Sequence, residues 1–397
     1  MNTRHAPSVL LVCIVCCTLA CGSNPTGPPE SVLAPVVARD GIPFNGQAIP
    51  EGVLDRLSPY RVVMVGETHH LTEHREMMAA LVRDLHARGF RQLMMELPHM
   101  ADWLLMDYVL DGGAVPGWEP PLVLGGKLIT AVRDFNRSLP ETDRVLVRGI
   151  DVNLDDYGGA ESFLDLIGWY SEQLPDPGPI ETFLAAPYAT PANQAAAIGQ
   201  LQDDLQSQRA DLVATWGEQA FETVAEMVEV ERTSVTIRAD RDAHYNATVR
   251  ERERIIKELC DTRIEETPHG TLINIGGNHA QKTRMKGTEL EWLGDYLVHR
   301  SPVVNGSIIV LVVTAARIVS PDGGTTLYDL GASPPNELFR LMNETWPSHT
   351  VFLPLGDPIF SEQGVLVNFE SELYSSALKR VYDVAVLLPL AHRDPGM

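Results

Sequence analysis

Arg61-Val62-Val63-Met64-Val65-Gly66-Glu67-Thr68-His69-His70 is the stretch on which the fold turns. From Arg61 to Val65 it is short, apolar and rich in β-branched side chains, which reads as a buried strand. Glycine ends the run and ionisable residues follow at once. Working outward, Thr72 to Arg88 carries helical spacing, with Thr72 as its N-cap and Gly89 as its stop. Arg91 to Leu97 (RQLMMEL) is the next strand and Arg144 to Ile150 (RVLVRGI) another. Strand, helix, strand at this spacing implies a right-handed parallel crossover. Further strands are expected at Thr271 to Ile275 (TLINI), Ser307 to Val313 (SIIVLVV), Thr350 to Leu353 and Val384 to Leu388 (VAVLL). Between the two sets, Gly159 to about Leu259 is helical in period and broken by prolines over 175–179 and 185–191. The expectation is an α/β fold: a mainly parallel central sheet flanked by helices, with an inserted helical lobe at about 159–259. A single catalytic domain over residues 46–397 explains the order better than two domains.

The bulk numbers narrow the partners. The 397 residues hold 31 Lys+Arg against 53 Asp+Glu, a formal charge of −22. Such a surface repels phosphate backbones and anionic lipid heads, so nucleic acid is not expected as a partner. Of five cysteines, Cys13, Cys16, Cys17 and Cys21 crowd the amino terminus and only Cys260 lies in the body. A lone body cysteine makes no internal disulfide, so the fold must stand without one.

That amino terminus reads as a targeting segment. Arg4 and His5 precede an apolar stretch from Val9 to Ala20 that is short for a bilayer span. Thr18-Leu19-Ala20-Cys21 has the form of a lipoprotein cleavage box, with Thr18 where an aliphatic residue is usual. Residues 1–21 are therefore expected to be a lipoprotein signal peptide, Cys21 the lipidated residue, and residues 22–45 a flexible tether. An ordinary secretory signal is the alternative. Gly22 after the cysteine points to the cell envelope, at the outer membrane or its periplasmic face. The lipid anchor is the only membrane contact expected.

Four ionisable clusters fall at the carboxyl ends of the predicted strands, where open α/β sheets place ligands. They are Glu67 with His69 and His70, then Glu96, then Asp151, then Asn278 with His279. If those strands are neighbours, two imidazoles and two or three carboxylates meet in one cleft. Each has a plainer reading: Glu96 or Asp151 as a helix cap, a histidine as a hydrogen-bonded structural residue. Four together are hard to explain by packing, because buried acids are costly unless paired or used. A neutral imidazole can take a proton from water while a carboxylate fixes its tautomer.

The ordered motifs GETHH, MMELP, RDFN (Arg133 to Asn136), GID, an Arg/Glu-rich helix and GGNHA resemble the erythromycin esterase family. The resemblance covers most of Tyr60 to Lys286. It implies Glu67 and Glu96 as site acids, His69 or His70 as general base, and His279 as the second histidine. Arg250 with Glu251 resembles an Arg-acid pair on the helix before the last motif, unless VRERERIIKEL is merely a solvated charged face. Asp151 resembles the acid after the third strand. Ungapped matching to the family selects His70, whereas the Gly-x-x-His spacing of the wider superfamily, which includes haem-binding lipoproteins and metalloproteases, selects His69. Gly276-x-x-His279 repeats that spacing, and we take His69 as the base. His74, one turn into the next helix, either joins the site or faces solvent.

The function so implied is hydrolysis of a small-molecule ester or lactone by water activated at His69 and Glu67, with His279 and Arg250 stabilising the oxyanion and no cofactor. No Gly-x-Ser-x-Gly elbow offers a serine nucleophile. One alternative is a divalent metal such as Zn or Mn on Glu67, His69, Glu96 and His279. Another is a surface lipoprotein that binds haem or a different ligand through the same histidines.

Overall fold

Val62, Val63, Met64 and Val65 are all fully buried, which a strand achieves only when both faces of its sheet are covered. The computed structural model describes residues 30–110, 126–154, 159–186, 191–241, 244–284, 290–327, 334–361, 364–369 and 372–393. The signal-peptide and lipidation expectations, Cys21 included, lie outside the described residues.

The first elements are α1 (Glu30–Asp40), β1 (Ile42–Phe44), α2 (Glu51–Leu57), β2 (Val62–Glu67), α3 (Thr72–His86) and β3 (Phe90–Pro98). Then come α4 (Asp102–Leu110), α5 (Gly126–Asn136) and β4 (Leu146–Asp151). A helical run follows: α6 (Gly159–Ser171), α7 (Pro179–Leu184), α8 (Pro191–Ser207), α9 (Arg209–Trp216), α10 (Glu218–Asp240) and α11 (Tyr245–Glu265). The chain returns to the sheet with β5 (Gly270–Gly276), α12 (Leu293–His299), β6 (Ile308–Ala315), β7 (Arg317–Val319) and β8 (Thr325–Leu327). It continues through α13 (Pro334–Thr345), β9 (Thr350–Pro354), β10 (Gly364–Phe369), β11 (Glu372–Ala377), α14 (Leu378–Val381), β12 (Val384–Leu388) and β13 (Ala391–His392).

Among the described residues, eight strands form the central sheet in the order β1-β9-β12-β6-β2-β5-β3-β4. Pairings from β12 through β4 are parallel, while β9 runs antiparallel to both β12 and β1. The expected α/β architecture holds. Alternation along β2 divides the core: Val63 and Val65 pack with Met78, Leu81 and Leu85 of α3 and with Leu128 and Ile129 of α5. Val62 and Met64 pack on the other face with Ile256, Cys260 and Ile264 of α11 and with Leu293 and Leu297 of α12.

β2 and β3 run parallel, with β5 between them. Three expectations need correction. The tether ends before Glu30: α1 buries Leu33, Val36 and Val37, Glu30 pairs with Arg340 at 2.8 Å, and β1 is an edge strand on β9. Thr72 is the first helical residue rather than the cap, which is Leu71. The lobe ends with α10, since α11 puts Ile256, Cys260 and Ile264 into the sheet's own core. The lobe has a separate core built on Phe163, Ile180, Ile198 and Val224.

Candidate active site

The register brings the predicted strand ends together. Glu67, last residue of β2, lies opposite Gly276, last of β5. On the other side of β5, Met95 faces Asn274. The β3–β4 register slips between Met95 and Pro98, which re-aims Glu96 as bulges do. That crowding explains Gly149 in β4, where a Cβ would lie 2.7 Å from the Leu97 carbonyl oxygen.

Glu67 is held from two directions. Its Oε1 lies 2.9 Å from His69 Nδ1, and its Oε2 accepts from Asn274 Nδ2 at 3.0 Å and lies 3.1 Å from His74 Nε2. His74 Nε2 also donates to Asn274 Oδ1 at 2.6 Å. His74 therefore joins the site as a fully buried support. Asn274, read only as part of an apolar run, was the site residue most open to detection: a lone amide in a buried strand must have a partner.

His69 is the more exposed of the two site imidazoles, its side chain 40% exposed against the buried ring of His279. Its Nε2 lies over the α-carbon of Gly276, where a Cβ would come within 2.7 Å of it. Glu96 Oε2 approaches the same face and accepts from the Gly276 N–H at 2.6 Å. Burial pushes His69 down, but the Glu67 hydrogen bond and the charges of Glu96 and Glu67 outweigh it and raise the ring to about 9. Burial opposes ionisation of Glu67 too, yet its bonds to His69 and His74 hold it well below the usual carboxylate range. His70 takes a left-handed backbone (φ 65°), with its ring 5.8 Å from that of His69.

His279 forms the second, buried half. Its Nδ1 meets Glu253 Oε1 in a short bond and its Nε2 lies 3.4 Å from Glu96 Oε1. Trp292 closes over the ring edge-on at 5.2 Å. Burial alone would lower His279, but the charges of Glu253 and Glu96 raise it to about 10. Glu96 Oε1 also accepts from Arg252 at 2.5 Å. Arg252 grips Asp151 as well, through Nε at 2.9 Å and through a shorter bond from its terminal nitrogen. Burial works against the charge on Glu96, but His279 and Arg252 outweigh it and keep Glu96 ionised.

The Arg-acid pair is therefore shifted two positions from the one expected. Arg250 is exposed and Glu251 pairs with Arg254 at 2.6 Å. Positions two apart on a helix point roughly 200° apart, so Arg252 and Glu253 reach the cleft instead. Asn278 is also exposed, turned towards Gln281 at 3.5 Å.

Among the described residues, no group of three or more His, Cys, Asp or Glu side chains is arranged to hold a metal ion. The reason is visible in the two acids that such a site would need. Both oxygens of Glu67 and both of Glu96 already accept from His, Asn, Arg or backbone donors. A cation would have to displace those donors.

No family model matches the chain, and no curated protein matches it by sequence. Solved structures do match it in three dimensions. A Bacillus cereus protein aligns with a TM-score of 0.63 at 14% identity, over 92% of this chain and 98% of its own. A succinoglycan biosynthesis protein aligns at 0.59 and 14%, over 91% and 97%. An erythromycin esterase mutant, in an open conformation, aligns at 0.57 and 16%, over 87% and 94%. The fold is shared with all three. At such identities the likeness speaks for architecture, not for chemistry. A haem-binding ChaN of Campylobacter jejuni aligns over 66% of this chain at a TM-score of 0.28, too low to indicate a common fold.

Proposed function

We propose that this chain is a hydrolase that cleaves an ester or lactone with water activated at His69. The observation that carries the reading is the His69–Glu67 pair: a carboxylate on Nδ1 at 2.9 Å in an imidazole that is partly exposed. A carboxylate on one nitrogen fixes the tautomer and makes the other the basic one. In the neutral ring Nε2 takes a proton from water as the water oxygen bonds to the carbonyl carbon. The tetrahedral intermediate then collapses, and the proton passes to the departing alcohol oxygen. Arg250 has no part in this reading, and Arg252 is engaged by Glu96 and Asp151. An erythromycin esterase is among the proteins that share this fold, and an ester is the substrate class we propose on the ordered motifs together with the His69–Glu67 pair.

The test is hydrolysis of p-nitrophenyl acetate and simple lactones by purified protein, with and without a chelator. Activity that survives chelation and is lost in His69→Ala supports the reading. Activity lost on chelation and restored by Zn or Mn would replace it with metal-assisted hydrolysis. A Soret shift on adding haem, together with no hydrolysis, would replace it with ligand binding. An envelope location through a lipid on Cys21 belongs to the same proposal. Cys21→Ala is then expected to move the protein from the membrane fraction to the soluble one.

A further inference from the structure

Glu253 is 1% exposed, and its Oε2 has no hydrogen-bond partner among the described residues. Its Oε1 is committed to His279 Nδ1. A buried carboxylate with an idle oxygen is expensive, so it calls for an explanation beyond packing. The other end of the same imidazole supplies one. Glu96 is already satisfied by Arg252 at 2.5 Å and by the Gly276 N–H at 2.6 Å. Its contact with His279 Nε2, at 3.4 Å, is the longest of the set and can be given up at least loss. With a carboxylate at each ring nitrogen, His279 has acceptors for two N–H groups and, among the described residues, no donor to accept from. Only the imidazolium satisfies both sides.

We propose that Glu253 is a positioning residue that holds His279 as an imidazolium, leaving its Nε2–H as the donor that turns from Glu96 to the substrate carbonyl oxygen. The two histidines then divide the work: His69 exchanges a proton with water and His279 keeps its own. Among the described residues, the charged and titratable groups around His279 are Glu253 and Arg252 from α11, Glu96 from β3, Asp151 at the end of β4, Glu67 at the end of β2 and His69 just beyond it. His74 reaches the cluster through Glu67. The balance near the ring is negative, which favours the cation. The catalytic half rests on the hydrolase reading; the protonation half does not.

Side-chain nitrogen NMR separates the two. In wild type the His279 signal, assigned by its loss in His279→Asn, is expected to keep the imidazolium pattern from pH 6 to pH 9. In Glu253→Gln it is expected to titrate near neutrality, and kcat/KM for p-nitrophenyl acetate at pH 8 to fall by about 100-fold, mainly in kcat. Glu253→Asp, which keeps the carboxylate, is expected to restore the imidazolium signal. A neutral tautomer in wild type at pH 7 overturns the proposal without any change at Glu253. An unchanged His279 titration in a folded Glu253→Gln protein overturns it equally. An imidazolium that depends on Glu253, in a protein that cleaves no ester, keeps the assignment of Glu253 and sinks the hydrolase reading.

Discussion

His69 and Gly276 show how little space the proposed chemistry occupies. A Cβ at position 276 would sit 2.7 Å from His69 Nε2, so Gly276→Ala should displace the ring while leaving the β5 ladder in place. The expected result is loss of ester hydrolysis by at least about 10-fold with a small change in urea midpoint; equal loss of both would argue against a local effect. The pH behaviour follows from the same ring. A general base must be neutral, so with His69 raised to about 9, kcat/KM should climb with pH and level off near there. Glu67→Gln should shift that limb towards the ordinary histidine range, and an unmoved limb would assign it to another group. Stability runs the opposite way. Because His69 and His279 titrate higher in the folded protein, at about 9 and 10, their stabilisation is complete below about pH 6.5 and is lost as pH rises through those values. Urea midpoints measured from pH 7 to 10 should therefore fall as turnover rises. At this scale the sequence showed Glu67, His69, Glu96, Asp151 and His279, because ionisable residues at strand ends stand out against apolar runs. It concealed Glu253 and Arg252, since in VRERERIIKEL every residue from Arg250 to Arg254 is charged and no apolar marker among them shows which face turns inward.

α11 carries the contrast between adjacent charges at the scale of an element. Arg252 is mostly buried between Glu96 and Asp151, whereas Arg250 is exposed. Removing one partner of a buried pair leaves the others uncompensated and costs about 3–5 kcal/mol. Arg252→Ala should reach that range in urea unfolding, while Arg250→Ala should stay within about 0.5 kcal/mol of wild type. Comparable losses would mean that the helix presents a different face to the sheet. The strands are readable from sequence for a reason the helices do not share. Val62 to Val65 or Val384 to Leu388 are buried on both sides and appear as unbroken apolar runs. Their order is not readable, because adjacency depends on which edges remain unpaired when each strand arrives. Nothing local in TLINI says that it separates β2 from β3. The reversal of β9 is equally silent, since strand direction leaves no trace in composition.

Over the whole molecule, the amino-terminal segment tests how far the sheet's support extends. Leu33, Val36 and Val37 of α1 belong to the same core as Leu338 and Met342 of α13, and β1 completes the sheet beyond β9. A chain that starts at residue 46 should unfold at lower urea than one that starts at residue 30. Leu33→Ala alone should cost about 2–5 kcal/mol. If both changes were neutral, the segment would be the loose tether its proline-rich surroundings suggest. Net charge and composition say nothing of this packing. Prolines near short apolar runs look the same in a linker and at a sheet edge.

The seat of β5 between β2 and β3 has a consequence for the order in which the molecule can be made. Glu67 and Asn274 share a hydrogen bond across 207 residues of chain. While a ribosome is still delivering the helical lobe, β2 waits with both edges open, for β5 and β6, and β3 with one, for β5. An edge in that state invites the wrong neighbour, and pairings so distant along the chain form slowly. When β5 docks, it joins β2 to β3, brings Gly276 beneath His69 and sets His279 beside Glu96 in one step. A nascent chain therefore carries its imidazoles apart until β5 arrives, and β6, β9 and β12 then extend a sheet on which the two histidines have already met.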